Sequence, residues 1–135
     1  MAVLVLTDAK VTINSVNLSA FVKQVSLRTS DDVVETTGMG ATAKTRIAGL
    51  PDNSVTVEFN QDFATSQVEA TIYPLLGTAV TMIVQPTSAA VGATNPTYTF
   101  SVLISEWAPI DGSIGELATT SVSWPISGAI TKAVV

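Results

Sequence analysis

A third of this chain is threonine, valine or isoleucine, 46 of 135 residues in all. Side chains branched at Cβ are stiff at χ1, crowd a helix and suit a pleated surface. They fall here in short alternating runs between turn signals, the pattern of an all-β chain. Lys10–Ile13 is followed by an Asn14-Ser15 turn and Val16–Leu18. Over Phe21–Thr29, Phe21, Val25 and Leu27 face one way while Gln24, Ser26 and Arg28 face the other. In Ser54–Asn60, Val55, Val57 and Phe59 oppose Thr56 and Glu58. Ala79–Gln85 is apolar on both faces apart from Thr81 and reads as an interior strand. Tyr98, Phe100, Val102 and Ile104 alternate with Thr99, Ser101 and Leu103, the clearest strand of all. Ala118–Trp124 comes last, with Pro125 expected to interrupt it and Ala129–Val134 to add a short edge strand.

One segment breaks the period of two. Ser66-Gln-Val-Glu69 has the form of a capping box. Val68, Ile72, Leu75 and Leu76 then recur at i, i+4, i+7 and i+8, a helical stripe. Pro74 should tighten the last turn and Gly77 end it. The order of strands, one helix and more strands predicts a β-sandwich or flattened barrel with one short flanking helix at about 66–76. At 135 residues this is a single domain, 1–135, able to bury a core without a staple.

Composition then narrows what such a domain can do. With no Cys and no His, the chain has no disulfide framework, thiol nucleophile, Cys/His zinc site or imidazole chemistry. Eleven acidic residues against six basic ones, a net charge of -5, argue against binding a phosphate backbone. Only 13% of residues are charged, whereas an average soluble domain carries about 25%. No apolar run approaches the roughly 18 residues of a spanning helix, so no membrane is expected. Ala2–Leu6 is also too short, and lacks the flanking base, for a signal peptide. With 47% hydrophobic residues, the apolar excess is best hidden by other copies of the same chain.

Two long stretches between strands read as irregular, Ser30–Leu50 and Pro86–Pro96. Long connections in small domains are commonly functional or disordered. The second is small-residue and uncharged around Thr87–Thr94 and reads as a flexible connection. The first opens with Asp31, Asp32 and Glu35, passes Gly38-Met39-Gly40, and closes with Lys44 and Arg46. Acid on one limb and base on the other would pin the register of an extended hairpin or meet a neighbouring subunit. As a solvated loop, the same charges would form surface pairs worth about 0–1 kcal/mol. Asp31, Asp32, Glu35, Lys44 and Arg46 are the candidate inter-subunit contacts.

Catalytic and cofactor chemistry finds little to work with. Asp31 and Asp32 with Glu35 fall short of a calcium loop's ligand spacing. No aromatic cluster accompanies Asp31 or Asp111 as a glycosidase pair would need. Gly38-Met-Gly40 is followed by no GK[ST] and opens no helix, so it is not a phosphate loop. Neither Lys23 nor Lys44 lies in a nucleophile motif. Trp107 and Trp124, read as lying on adjacent strands, could form a sugar platform if exposed, and core or interface anchors otherwise. The expectation is a protein with no catalytic residue, no metal and no cofactor.

The stretch from Glu35 to Leu50 also carries a resemblance. Glu35, Thr36, Thr37, Gly40, Thr42, Lys44, Thr45, Arg46, Gly49 and Leu50 match, in order, a pattern of acid, Thr pair, Gly, Thr, base, Thr, Arg and Gly-Leu. That pattern resembles the tail tube (major tail) proteins of long-tailed, siphovirus-type bacteriophages of actinobacteria. An early Asn17-Leu18-Ser19 turn and a helix following Phe59–Asp62 are similar too, whereas Met39 stands where Phe is expected. The likeness spans most of the chain and its motifs are structural.

What the resemblance implies is a virion protein of the tail, assembled in the host cytoplasm. Its copies would close into rings, expected to be hexameric, that stack into a hollow tube for genome ejection. The arm matching Ser30–Leu50 would reach a neighbouring subunit or ring. The implied partners are further copies of the chain, together with tape measure, tail terminator and distal tail proteins. The genome would pass through an acidic lumen without specific binding, since like charge repels the DNA backbone. Two alternatives stand beside it, a head-decoration or tail-completion protein and a carbohydrate-binding β-sandwich module. The first nine and last five residues could be ordered arms or frayed ends.

Overall fold

The computed structural model describes residues 3–134. Met1, Ala2 and Val135, which belong to the terminal arms considered above, lie outside the described residues. In chain order the elements are β1 (Lys10–Ile13), β2 (Val16–Asn17), a 3-10 turn (Ser19–Phe21), β3 (Val22–Glu35) and β4 (Arg46–Asn60). There follow α1 (Val68–Ile72), which continues as a 3-10 turn through Tyr73–Leu75, then β5 (Ala79–Gln85), β6 (Thr97–Leu103) and β7 (Thr119–Ala133). All strand pairings are antiparallel, in one sheet of order β2-β1-β5-β6-β7-β4-β3. The expected architecture, all-β with one short flanking helix, is the one observed.

A single strand turns this sheet into two layers. The first half of β7 pairs with β4, from Asn60↔Thr119 to Ser54↔Pro125, and the second half pairs with β6, from Val102↔Ile126 to Thr97↔Ala133. Pro125 therefore does not interrupt the strand, and residues 129–134 form no separate edge. The proline stands where the partner changes, the place in a ladder where a missing N–H donor is least costly. Gly128, at φ +92, sits just beyond the switch in a conformation that only glycine adopts without strain.

The inner faces of the two layers meet in one apolar cluster. Val11 and Ile13 of β1, Met82 of β5 and Val102 of β6 pack with Val55, Val57 and Phe59 of β4 and with Trp124 of β7. Val55, Val57, Phe59 and Val102 are on the faces that alternation in the sequence sets apart, because a strand half in water must point every second residue at the core. Asn14 and Ser15 both take positive φ, 50° and 68°, which fits a tight two-residue hairpin between β1 and β2. The helix lays Val68 and Ile72, one turn apart, on the same core.

The start of the helix differs from the expected capping box. Ser66 has φ +64, and the N-cap is Gln67, with no side-chain cap bond. The Glu69 N–H instead donates to the Asp62 carbonyl at 3.2 Å, so the preceding loop supplies the acceptor. Pro74 lies in the closing 3-10 turn, and Gly77, at φ +85, donates to the Ile104 carbonyl at 2.7 Å.

Both stretches expected to be irregular are more ordered than their composition suggested. Most of Ser30–Leu50 is strand, with only Thr36–Thr45 left as the hairpin tip. The 86–96 connection is gathered around Asn95, which is buried. Its Nδ2 donates to the carbonyls of Ala89 (2.9 Å) and Ala90 (3.1 Å), while its Oδ1 accepts from the Thr87 N–H (3.1 Å).

Candidate assembly interface

β3 and β4 are the longest strands of the hairpin, and only half of each belongs to the sandwich. Up to Leu27 on β3 and from Asn53 on β4, alternate residues turn inward, whereas from Arg28 to Asp52 nearly every residue is exposed. The outer half is thus a two-stranded ribbon projecting from the body. Asn53 marks its root, where the buried side chain donates from Nδ2 to the Gly128 carbonyl at 3.2 Å.

The ribbon has its own internal order. Asp31 pairs with Pro51 and Val33 with Ala48, so Gly49 and Leu50 together oppose the single residue Asp32, a β-bulge. A Cβ on Gly49 would lie 3.1 Å from the Asp32 Cβ and 3.3 Å from a Val34 methyl, so any larger residue would have to push these neighbours aside by a few tenths of an ångström. At the tip, the Thr36 N–H donates to the Thr45 carbonyl at 2.8 Å and the Thr45 N–H to the Thr37 hydroxyl at 2.9 Å. Gly40, at φ +83, completes the turn beside Met39, whose side chain is fully exposed.

All five candidate contact residues fall on this ribbon. Asp31, Asp32 and Glu35 lie on β3 and Arg46 opens β4, directly across from Glu35. Lys44 Nζ stands 3.9 Å from Glu35 Oε1. The structure therefore brings Glu35, Lys44 and Arg46 into one cluster, while Asp31 and Asp32 sit apart at the bulge. The Lys44–Glu35 pair is exposed and contributes at most about 1 kcal/mol. Its geometry pins the register of the tip and leaves Arg46 without an ion pair among the described residues.

Sequence reasoning centred on charge missed the apolar half of the ribbon. Val33 (69% exposed), Val34 (47%), Ile47 (59%) and Leu50 (81%) all lie open to water. Val34 faces Ile47 across the ladder and Val33 faces Ala48, so apolar side chains line both faces. The signal was present in the sequence as paired hydrophobics, Val33-Val34 and Ile47-Ala48, which no single-faced strand would use. A bare two-stranded ribbon is marginally stable in water, and one with two apolar faces gains most from being covered. β3 is also the last strand of the sheet, with an edge unpaired among the described residues, a template for a further strand.

A second exposed apolar region lies at the far end of β4. Phe63 follows that strand by three residues, and the segment between β6 and β7 brings Ile110, Ile114 and Leu117 beside it, all exposed. Phe63, Pro109, Ile110 and Ile114 border a hollow of about 440 Å³ with Asp111 and Glu116 at its sides. Its base is held by Gln61 Nε2, which donates to the Pro109 carbonyl (2.8 Å), and by Thr120 Oγ1, which donates to the Ala108 carbonyl (2.9 Å).

The tryptophans form no open platform. Trp124 is fully buried on β7 and donates from Nε1 to the Glu106 carbonyl at 2.8 Å. Trp107 lies in the connection after β6 and not on a strand beside it, with its ring 5.9 Å from Phe59 in an edge-on contact. Both anchor the core, one of the two roles considered for them.

No protein-family model matches this sequence, and no curated protein matches it. Solved structures do. A chain in the virion of a native gene transfer agent particle superposes with a TM-score of 0.73 at 12% identity, over 93% of this chain and 95% of that one. It is a fold used in virion and tail particles. A chain in the tail of an empty gene transfer agent particle, refined with helical C6 symmetry, gives 0.59 at 14% identity over 84% and 82%. One in the sixfold-symmetrised baseplate of an anti-feeding prophage gives 0.59 at 9% identity over 98% and 97%. What is shared at such identities is the fold.

Proposed function

We propose that this chain is a structural subunit of a phage-type tail tube, assembling with copies of itself into stacked rings around a central channel. The observation that carries the reading is the likeness over 93% of the chain to a chain of a gene transfer agent virion. Two of the similar chains come from particles described with sixfold symmetry, which favours six copies per ring. The projecting ribbon, apolar on both faces, and the free edge of β3 supply surfaces that ring closure and stacking would cover.

In this reading the chain acts by shape and charge, without catalysis and without a cofactor. Asp31, Asp32, Glu35, Lys44 and Arg46 work as contacts between subunits. The net charge of -5 keeps the channel from holding a nucleic-acid backbone, so a genome slides through it. Its partners are further copies and the proteins that start, measure and close a tail in a siphovirus-type particle, and its place is the virion tail.

The test is negative-stain electron microscopy of the purified chain across a concentration series. Hollow tubes of uniform width or stacked rings are expected. Compact particles at every concentration would overturn spontaneous tube formation and favour a head-decoration role. Single rings that never stack would point to a tail-completion protein.

A further inference from the structure

We infer that the ribbon tip of one copy seats in the hollow beside Phe63 of the next copy, so that the contact between copies runs head to tail along β4. This names the receiving surface within the self-assembly reading above and rests on it.

Position is the first argument. β4 runs without a break from Arg46, at the ribbon tip, to Asn60, three residues before Phe63. Fifteen strand residues span roughly 50 Å at about 3.3 Å each. Tip and hollow therefore lie near opposite ends of one continuous strand, bent at the Gly49-Leu50 bulge. Such a pair cannot satisfy itself within a monomer. An antiparallel two-fold dimer would match each tip to the other's hollow and end at two copies, whereas a head-to-tail contact goes on adding copies.

Charge is the second argument. The tip carries Lys44 and Arg46 against Glu35, an excess of one positive charge with Arg46 outside any ion pair among the described residues. The hollow carries Asp111 and Glu116 with no base along its wall. No Lys or Arg occurs anywhere between Arg46 and Lys132. The two larger hollows are less suited to a basic tip. The one of about 940 Å³ between β1 and β3 is bordered by Lys10 and Lys23 against the single acid Asp8, and the one of about 600 Å³ at the ribbon root by Lys132. Both would set like charges against Lys44 and Arg46, which disfavours the wrong socket as much as it selects the right one.

Apolar fit is the third. Met39 projects from the turn closed by the Ala41 N–H and the Gly38 carbonyl. An unbranched thioether adapts to an irregular recess, and Phe63, Ile110 and Ile114 offer it an apolar wall. The hollow's base is fixed through Gln61 and Thr120, so the receiving end loses little freedom on docking.

The natural absence of cysteine makes the test clean. Met39→Cys and Ile114→Cys, alone and combined in the full chain, are oxidised at assembling concentration and run on a non-reducing gel. The combined variant is expected to close a ladder of covalent oligomers, while each single variant goes no further than a dimer. In parallel, Asp111→Lys with Glu116→Lys is expected to abolish stacking, and adding Lys44→Glu with Arg46→Glu to restore it. Normal tubes without a ladder overturn this contact and leave the tube reading intact. A ladder without rings or tubes upholds the contact and sinks the tube reading. Neither ladder nor assembly overturns both.

Discussion

Gly49 and Asn95 show how single side chains decide the shape of segments far from the core. Gly49 lets the ribbon bulge close tightly, since a Cβ there would crowd that of Asp32 at 3.1 Å. Gly49→Val is expected to loosen the ribbon alone. Hydrogen exchange at Val33–Glu35 should rise while the amides of β5 and β6 keep their protection, and unchanged exchange at the ribbon would refute the role given to the glycine. Asn95 holds the 86–96 connection through its amide group, buried and bonded on both its oxygen and its nitrogen. Asn95→Ala removes the bonds to the Ala89 and Ala90 carbonyls and to the Thr87 N–H, at a net cost of about 0.5–1.5 kcal/mol for each bond lost. A urea titration would read it as a lower midpoint with the slope unchanged.

At the scale of elements, the ribbon and β7 make opposite demands on the sequence. The ribbon's charges hold its tip in register, and in the assembly reading they also meet a neighbour. Lys44→Glu with Arg46→Glu should therefore leave the thermal midpoint within a degree or two, since the residues are exposed. Assembly by electron microscopy should be lost, and persistence of tubes in this variant would end the ribbon's role as a contact. β7 instead depends on Gly128, whose φ +92 falls in the bulge between Ser127 and Thr131, where the register against β6 shifts. Gly128→Val should cost about 1–3 kcal/mol and lower the melting temperature without affecting the ribbon.

These same elements explain what the sequence made legible. β1, β5 and β6 were readable to within a residue because each buries one face or lies between two neighbours. β7 was misread at its middle because Pro125 is a breaker in most contexts, and only the switch from β4 to β6 makes it tolerable. The outer halves of β3 and β4 read in sequence as either a long loop or an extended hairpin, because their alternation has no buried side to report, and the hairpin is what forms. A ribbon that faces water on both sides in one copy has a pattern set by something outside the chain. The hollow at Phe63 was illegible for a related reason. Its residues come from two segments that meet only because the end of β4 and the start of β7 are paired. The five charged positions follow in sequence from the length of one stretch and the split of acid and base along it, and the structure brings three of them together.

For the whole molecule, low charge and its uneven placement matter more than any one pair. Six bases against eleven acids leave a surface with little attraction for phosphate, even at low salt. Duplex DNA in a mobility-shift assay at low ionic strength is expected to run as free DNA at every protein concentration. A retarded band would contradict the sliding role.

The run of β4 from ribbon tip to Phe63 has a consequence for growth. It gives the molecule a compass bearing, with the ribbon tip as prow and the acid-flanked hollow as stern. Any filament that keeps this bearing has two unlike terminals, one offering only prows and the other only sterns. One protein shaped like a stern could start such a filament and a different one shaped like a prow could stop it. Neither would have to recognise the wall in between, and length could be set at the terminals alone.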